Sequence, residues 1–347
     1  MMKNIKDIDV ENKKVLVRCD FNVPLSEDGA IDNDFKIRAS LPTIKYLVKN
    51  KAKVVLMSHL DPEHTGFVAP EFTLQHVAQT LSLLLDMPVE LASDCVGEEV
   101  LQKTDQLQPG QVLLLENLRF HMGEEKNADA FAKNLAKLAD IYVNDAFAES
   151  HRPYASVVGV PKYLPSYAGL LLEKEVLNLD KILKNPELPL VALIGGVKVG
   201  TKAMFIENIS HIADVVLIGG LVKKELMEKH ANILQNSNII GPLEKIDAPD
   251  IDDTTISIFT ENILKAKTII WNGPLGKFED ESYKKGTLAV AQAIVKSGAF
   301  SVVGGGETIE FLDKEGMLSK FNHISTGGGA MLSYLAGENL PGLKALE

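Results

Sequence analysis

Nine short runs rich in Val, Ile and Leu, separated by longer amphipathic stretches, constrain this chain more than any other feature. In the first half they are Lys14–Phe21, Lys53–His59, Gln111–Asn117 and Ile141–Ala146. In the second they are Leu188–Gly195, Ala213–Gly219, Thr268–Asn272, Ser301–Gly304 and His323–Thr326. Each is continuously apolar rather than alternating, so as a strand it should be buried on both faces. Helical periodicity fills the gaps at Ser40–Lys49, Leu74–Leu85, Ala128–Leu138, Met204–Ile212 and Leu288–Lys296. Strand–helix alternation predicts an α/β fold with a doubly wound, mainly parallel sheet in each half. The 347 residues exceed one ordinary core and suit two domains, 1–166 and 185–331. A helix over 167–184 would join them, with Leu170, Leu171, Leu172, Val176 and Leu177 at core spacing; an ordinary surface helix of the first domain would read the same way. The stretch Asn232–Asp253 carries no clear periodicity.

The composition narrows the ligand. A net charge of -11 argues against a nucleic-acid surface, so an anionic ligand must meet locally placed cations. No apolar run reaches the ~20 residues of a membrane span. The charged start Met1–Lys14 reads as neither signal nor transit peptide, and two cysteines, Cys19 and Cys95, give no disulfide framework. Together these predict a cytoplasmic protein that handles small molecules.

Arginine and glycine are unevenly placed. The only arginines are Arg18, Arg38, Arg119 and Arg152, all in the first half, whereas 21 of 26 glycines follow residue 150. Lysine supplies the general surface charge, which leaves arginine for fork geometry, although a low-arginine composition alone would also make it scarce. Five glycine turns follow apolar runs: Gly195-Gly196, Gly219-Gly220, Asn272–Gly276, Gly304–Gly306 and Gly327–Gly329. Such turns bring backbone N–H groups close to phosphate oxygens, often at a helix start. One alone could be a tight strand–helix turn, but five at strand ends in one domain point to a phosphate chain. A Walker loop is excluded because Thr201 and Lys202 stand in the wrong order, and a dinucleotide fingerprint fails at Ile309. Lys198 and Lys202 remain as phosphate-binding cations after the first turn.

The first half carries its own constellation at strand ends. Arg18, Asp20 and Asn22 close the first run, His59 the second, and Glu116–His121 (with Arg119) the third. Asn144-Asp145 and His151-Arg152 follow the fourth. Buried strands seldom carry such groups without a purpose, and cationic groups at successive strand ends suit a small anion. A structural hydrogen-bond network would account for Asp20 or Asn22 equally well. Metal ligation is disfavoured by the absence of HxxxH or a cysteine pair.

These segments, in this order, resemble the phosphoglycerate kinase family over nearly the whole chain. The carrying stretches are Arg18–Pro24, Ile37–Tyr46, Val54–Leu60, Glu116–His121, Glu124–Asn127, Tyr142–Phe147 and Ser166–Glu175, then Gly195–Lys202, Asp214–Gly220, Trp271–Gly276, Val303–Thr308 and His323–Gly329, followed by Leu340–Gly342. The resemblance implies reversible phosphoryl transfer between ATP and 3-phosphoglycerate with magnesium, in a monomer whose tail, 332–347, packs back on the first domain. It implies that the acid meets Arg18, Asp20, Asn22, His59, Arg119 and Arg152. The nucleotide would meet Gly196, Lys198, Lys202, Gly220, Pro274, Gly276, Glu279, Gly306, Glu307 and Thr308. Lys202 would follow the transferring group, with Lys36, Gly305 and Gly328 also at the chemistry, and Glu307 would be the magnesium-associated acid. Two half-sites imply closure on binding.

The chain departs from the family at several of these positions. Lys36 replaces a key arginine, keeping the charge but losing the fork. Asp61-Pro62 stands where the family has Gly-Arg-Pro, and Glu149 stands where it has threonine. Glu307 replaces aspartate, the Asp-x-Gly-Pro pattern is lost at Asp250–Thr255, and the region after Gly220 is short. A catalytically degenerate protein that binds a nucleotide or a partner, or a kinase for another small carboxylic acid, therefore stays open at this level.

Overall fold

The structure, a computed structural model, describes residues 2–26, 29–60, 66–197 and 202–347. The described chain forms two compact units, residues 1–175 with 339–347, and residues 176–338.

The first unit is built on β1 (Lys14–Arg18), β2 (Lys53–Met57), β3 (Val89–Leu91), β4 (Val112–Leu114), β5 (Ile141–Asn144) and β6 (Ser166–Ala168). They form one sheet in the order β3-β4-β2-β1-β5-β6, with every pair parallel. Helices α1 (Phe35–Lys49), α2 (Gln75–Leu85), α3 (Glu98–Gln106), α4 (Met122–Glu125) and α5 (Asp129–Ala136) connect them. β1 and β2 are buried at four of five positions and β5 throughout, as unbroken apolar runs require. Ile37, Leu41, Ile44 and Leu47 of α1 seal the sheet with Val77 and Leu81 of α2.

Helix α6 (Leu170–Lys184) runs from the first unit into the second. The expected helix start at Tyr167 is corrected: Tyr167 and Ala168 pair with Val143 and Asn144 as part of β6. Gly169 then permits a close approach, since a Cβ there would stand 2.1 Å from Asp145 Oδ1. That carboxylate accepts from the Leu171 and Leu172 amides at 2.9 and 3.3 Å, satisfying donors that an α-helix leaves open. Burial outweighs those amides and pushes the Asp145 carboxyl up to about 7.

The second unit repeats the architecture with β7 (Leu190–Ile194), β8 (Val215–Ile218), β9 (Ile239–Ile240), β10 (Thr268–Asn272), β11 (Phe300–Gly304) and β12 (His323–Ile324). The order is β12-β11-β10-β7-β8-β9, again parallel throughout. Helices α7 (Lys202–Ser210), α8 (Gly220–Lys229), α9 (Asp253–Lys265), α10 (Lys285–Ser297), α11 (Gly306–Lys314) and α12 (Gly328–Leu335) flank it. Trp271, Phe259, Phe311, Val290 and Ile294 fill its core. Winding reverses between β7 and β10, and the crevice at their carboxyl ends is where such a sheet takes ligands.

The tail also differs from expectation. Met331, Leu332 and Leu335 are buried on α12 in the second unit, so the returning segment begins at Asn339 rather than 332. There α13 (Pro341–Lys344) anchors on the first unit through Gly342 N–H, which donates to Ser150 O at 2.8 Å. No helix among the described residues is long and apolar enough to cross a membrane.

Candidate active site

In the first unit, the strand ends assemble an ionic cluster. Arg18, the last residue of β1, has a fully buried side chain. Its Nε donates to Ser156 Oγ at 2.8 Å and its Nη1 to Cys19 O. Ser156 in turn donates through both its N–H and its hydroxyl to Glu124, a carboxyl that burial pushes up while Arg18 pulls it down. Arg18 Nη2 lies 3.2 Å from His59 Nδ1. A guanidinium only donates, so Nδ1 must accept and the ring proton sits on Nε2. Burial, then Arg18, Arg119, Lys36 and Arg152, hold His59 well below its usual titration range, so it is a neutral donor.

Arg119 lies in the turn Leu118–Phe120 beyond β4 and is 3% exposed. It donates to Glu125 Oε1 at 2.8 Å and lies 4.6 Å over the Tyr154 ring. Its Nε is buried with no hydrogen-bond partner among the described residues, an unspent donor in the cluster. Asp20 is buried and pairs with Lys36, in the first turn of α1, at 2.7 Å. It also accepts from Asn22 N–H at 3.1 Å, in a half-buried turn. Glu149 lies between Arg18, His59 and Arg119 at 3.7–3.8 Å.

The structure thus brings Arg18, Asp20, Lys36, His59 and Arg119 together. Arg152 is exposed on the loop beyond Glu149, joined to it by a backbone hydrogen bond of 2.9 Å. Arg38 faces away and pairs with Asp34 at 2.8 Å. Glu124 and Glu125 fall in the stretch Glu124–Asn127 that carries the resemblance but were given no role there; Tyr154 and Ser156 went unread, and only their proximity to Arg152 could have flagged them. Asp94, Cys95 and His121 place ligating atoms within 4.8 Å of one another. Those atoms are already engaged: His121 Nε2 is 2.5 Å from Asp94 Oδ1, and the Cys95 thiol, pushed up by burial, donates to Glu116 O at 2.8 Å.

In the second unit, three of the five glycine turns, at Gly196, Gly219-Gly220 and Pro274–Gly276, line a cavity of about 400 Å³ at the β7/β10 switch point, a volume in the range of small-ligand sites; Gly305, Gly306 and Gly328 are not in its wall. Gly196, Gly220, Pro274, Gly276, Glu279 and Glu307 line it. Helices α8, α11 and α12 each begin at glycine, with no side chain capping the first turn. Bare N-termini offer N–H groups and partial positive charge to an anion. Gly305 caps α11 in a left-handed conformation (φ 98°), and Gly306 and Gly328 have no described atom within 4 Å of a would-be Cβ.

Two of the turns owe their glycines to each other. A Cβ on Gly195 would stand 2.1 Å from Pro274 O, and one on Gly273 would stand 2.1 Å from Gly195 O. Lys202, first residue of α7, is 7% exposed and donates to Gly195 O. Burial lowers its ammonium from the usual lysine range, with Glu307 opposing. Thr308 does not reach the cavity: it is fully buried and its Oγ1 accepts from Gly273 N–H at 2.9 Å, bracing the turn. Lys198 and Asp61 lie outside the described residues.

A family model described as phosphoglycerate kinase matches residues 5–240 and 225–338. The chain belongs to the phosphoglycerate kinase family. The phosphoglycerate kinase of Finegoldia magna is 41% identical over 392 residues, and that of Chlorobium phaeobacteroides 42% over 394, each with 99% of both chains covered. Among solved structures, the Pyrococcus horikoshii phosphoglycerate kinase superposes with a TM-score of 0.89 at 36% identity, covering 99% of this chain and 98% of that one. The Coxiella burnetii phosphoglycerate kinase gives 0.84 at 34%, covering 100% and 99%. The alignments to these relatives run longer than the 347 residues available, so the relatives carry extra segments. The two matched stretches meet at 225–240, between α8 and β9, consistent with the short region after Gly220.

Proposed function

We infer that this member of the phosphoglycerate kinase family is an ATP-dependent phosphotransferase acting on the carboxyl group of 3-phosphoglycerate, reversibly with 1,3-bisphosphoglycerate and ADP. The first unit takes the acid and the second the nucleotide. The observation that carries the reading is the cavity at the first turns of α8 and α11, beside the buried Lys202 ammonium.

In this reading Arg18, Arg119 and neutral His59 Nε2–H hold the acid, with Arg152 at the rim. Gly196, Gly220, Gly276 and the start of α11 receive the phosphate chain, and exposed Glu279 faces the sugar. Lys202 Nζ, beside Gly196, follows the transferring group. Phosphoryl transfer asks mainly for positioning and for stabilising charge on equatorial oxygens, so no nucleophilic side chain is required. Glu307 suits magnesium: it is an exposed hard-oxygen donor on the cavity wall, and magnesium is commonly held by one carboxylate together with substrate phosphates. When bound, the ion would neutralise phosphate charge. The enzyme would act as a cytoplasmic monomer on small molecules.

A coupled assay for ATP-dependent phosphorylation of 3-phosphoglycerate tests the reading. Wild type should turn over, and Lys202→Ala should lose on the order of 10²–10³ in rate, as for removal of one preorganised charge stabiliser. A folded wild type without turnover at high enzyme concentration would overturn it.

A further inference from the structure

The cluster that should receive the acid already holds an acid of the chain's own. Glu149 ends the turn Phe147–Glu149 beyond β5 and is 9% exposed. Its Oε2 stands 3.7 Å from Arg18 Nη2 and 3.7 Å from Arg119 Nη2, and its Oε1 3.8 Å from His59 Nε2. Oε2 makes no hydrogen bond among the described residues. Direct hydrogen bonds of this kind span about 2.7–3.2 Å. The carboxylate is therefore centred between three donors without being bonded to any of them, at the point where a bound anion would engage all three.

The surrounding charges balance. Arg18 comes from β1, Lys36 from α1, Arg119 from beyond β4 and Arg152 from the loop after Glu149. Against them stand Asp20 beyond β1, Glu124 and Glu125 on α4, and Glu149 itself, with neutral His59 from beyond β2. Four cations meet four carboxyl groups, of which burial raises both Glu124 and Glu149. A substrate bearing both a carboxylate and a phosphate therefore meets less surplus positive charge while Glu149 is ionised than when it is protonated.

We propose that Glu149 is a built-in competitor for the acid, holding its place between Arg18, His59 and Arg119, and that the acid binds tightly only as Glu149 takes up a proton. The residue thus sets the affinity for the acid and its pH dependence. The proposal rests on the function proposed above. Burial raises the Glu149 carboxyl from its ordinary range, Arg18 and Arg119 pulling against that and Asp20 adding to it. An arriving anion acts in the same direction as Asp20 and raises it further. The bound state then holds more protons than the free state, and affinity falls as pH rises.

Calorimetric titration of the full chain with 3-phosphoglycerate, and separately with inorganic phosphate, tests this. Buffers of different ionisation heat would be used between about pH 7 and pH 9, where a phosphate monoester with pKa about 6 is largely ionised; inorganic phosphate, which still titrates in the lower part of that range, is used at its upper end. Titration of Glu149→Gln against inorganic phosphate then reads the same competition without needing the carboxylate. Wild type should take up a proton on binding 3-phosphoglycerate and lose affinity across that range. Glu149→Gln should bind it roughly tenfold more tightly near the upper end, with no such uptake, because like charges at this separation among buried side chains oppose each other strongly. Glu149→Thr, which restores the family's residue, serves if the glutamine variant does not fold, and circular dichroism checks both. Equal or weaker binding in the folded variants, unchanged proton uptake, or no binding of either ligand to any form overturns the proposal. Turnover separates the two readings. A working kinase whose acid affinity ignores Glu149 keeps the function and removes this role. Tighter inorganic phosphate binding in the variants without any turnover keeps the role and removes the kinase.

Discussion

The first unit builds its site from buried charge, and the second builds its site from backbone. Eight Asp, Glu, His or Arg side chains are buried in the described part of the first unit, including Arg18, Asp20, Glu124 and Glu149. In the second the buried ionisable side chains are Lys202 and His323. A site made of paired side chains is tuned by exchanging one charge for another, and its behaviour follows pH. A site made of glycine turns and helix starts tolerates changes of charge around it but not an added methyl group where two backbones touch.

The largest expected effect therefore lies in the second unit. Gly195→Ala or Gly273→Ala drives a Cβ to 2.1 Å from a carbonyl oxygen, and Gly273 also has a left-handed backbone (φ 93°). Either should cost more than about 3 kcal/mol of stability, as strain and overpacking at a fixed backbone do. Gly306→Ala should leave folding within about 0.5 kcal/mol, since no described atom lies within 4 Å of the new methyl, yet weaken ATP binding where phosphate must approach. Thermal unfolding and ATP titration of the three variants separate the classes. A stable Gly195→Ala, or an unfolded Gly306→Ala with intact nucleotide affinity in its folded fraction, would break the comparison.

The next effect belongs to the first unit and to pH. Burial pushes the Asp145 carboxyl up to about 7, from about 3.8 in the unfolded chain. Between those values the folded chain holds the extra proton, so this group's stabilisation is complete below about 3.8 and is lost as pH rises through about 7. The loss amounts to at most about 4 kcal/mol. Asp145→Asn keeps an oxygen for the Leu171 and Leu172 amides and should flatten the fall between about pH 5 and pH 8. Urea titrations across that range measure it. An unchanged pH slope in the variant would show that Asp145 is ionised when folded.

How much of this was legible in the sequence depended on burial. All nine runs contain strands, and the eight in the sheet interiors are rich in apolar residues because a strand buried on both faces must be. The strands that escaped are β3, β6 and β9, all on sheet edges. β3 buries one of its three residues, β6 only Ala168, and β9 neither. These three edge strands carry no unbroken apolar run to read, which is also why Tyr167 and Ala168 read as the start of α6, whereas the fourth edge strand, β12, was read. At the site, Arg18, His59 and Arg119 stood out as polar groups at strand ends. What holds them did not: Ser156 meets Arg18 from a distant element with no local pattern, and Glu124, though in a family-like stretch, acts on Arg18 through Ser156. The glycines were over-read in one respect. Gly195 and Gly273 need no ligand to explain them, and Gly328 is accounted for by its positive φ (37°), whereas Gly306 has neither a packing nor a backbone reason of its own.

The smallest expected effect asks whether fork geometry matters in a site where charge is already balanced. Lys36 Nζ meets buried Asp20 at 2.7 Å with its side chain 31% exposed, so the ammonium spends its best contact inward. Arg38, the nearest arginine, is more than half exposed and tied to Asp34, out of the cluster. In Lys36→Arg, one edge of the planar guanidinium can keep Asp20 while the other faces the substrate, which a single ammonium cannot do equally well. That should raise turnover about 3- to 10-fold, equivalent to roughly 1 kcal/mol in the transition state, with little change in stability. Arg38→Ala should leave turnover within about twofold, since an exposed i,i+4 pair contributes little. If Arg38→Ala slows the enzyme while Lys36→Arg changes nothing, the functional cation on α1 is Arg38, and the first unit's charge is deployed differently from the cluster described here.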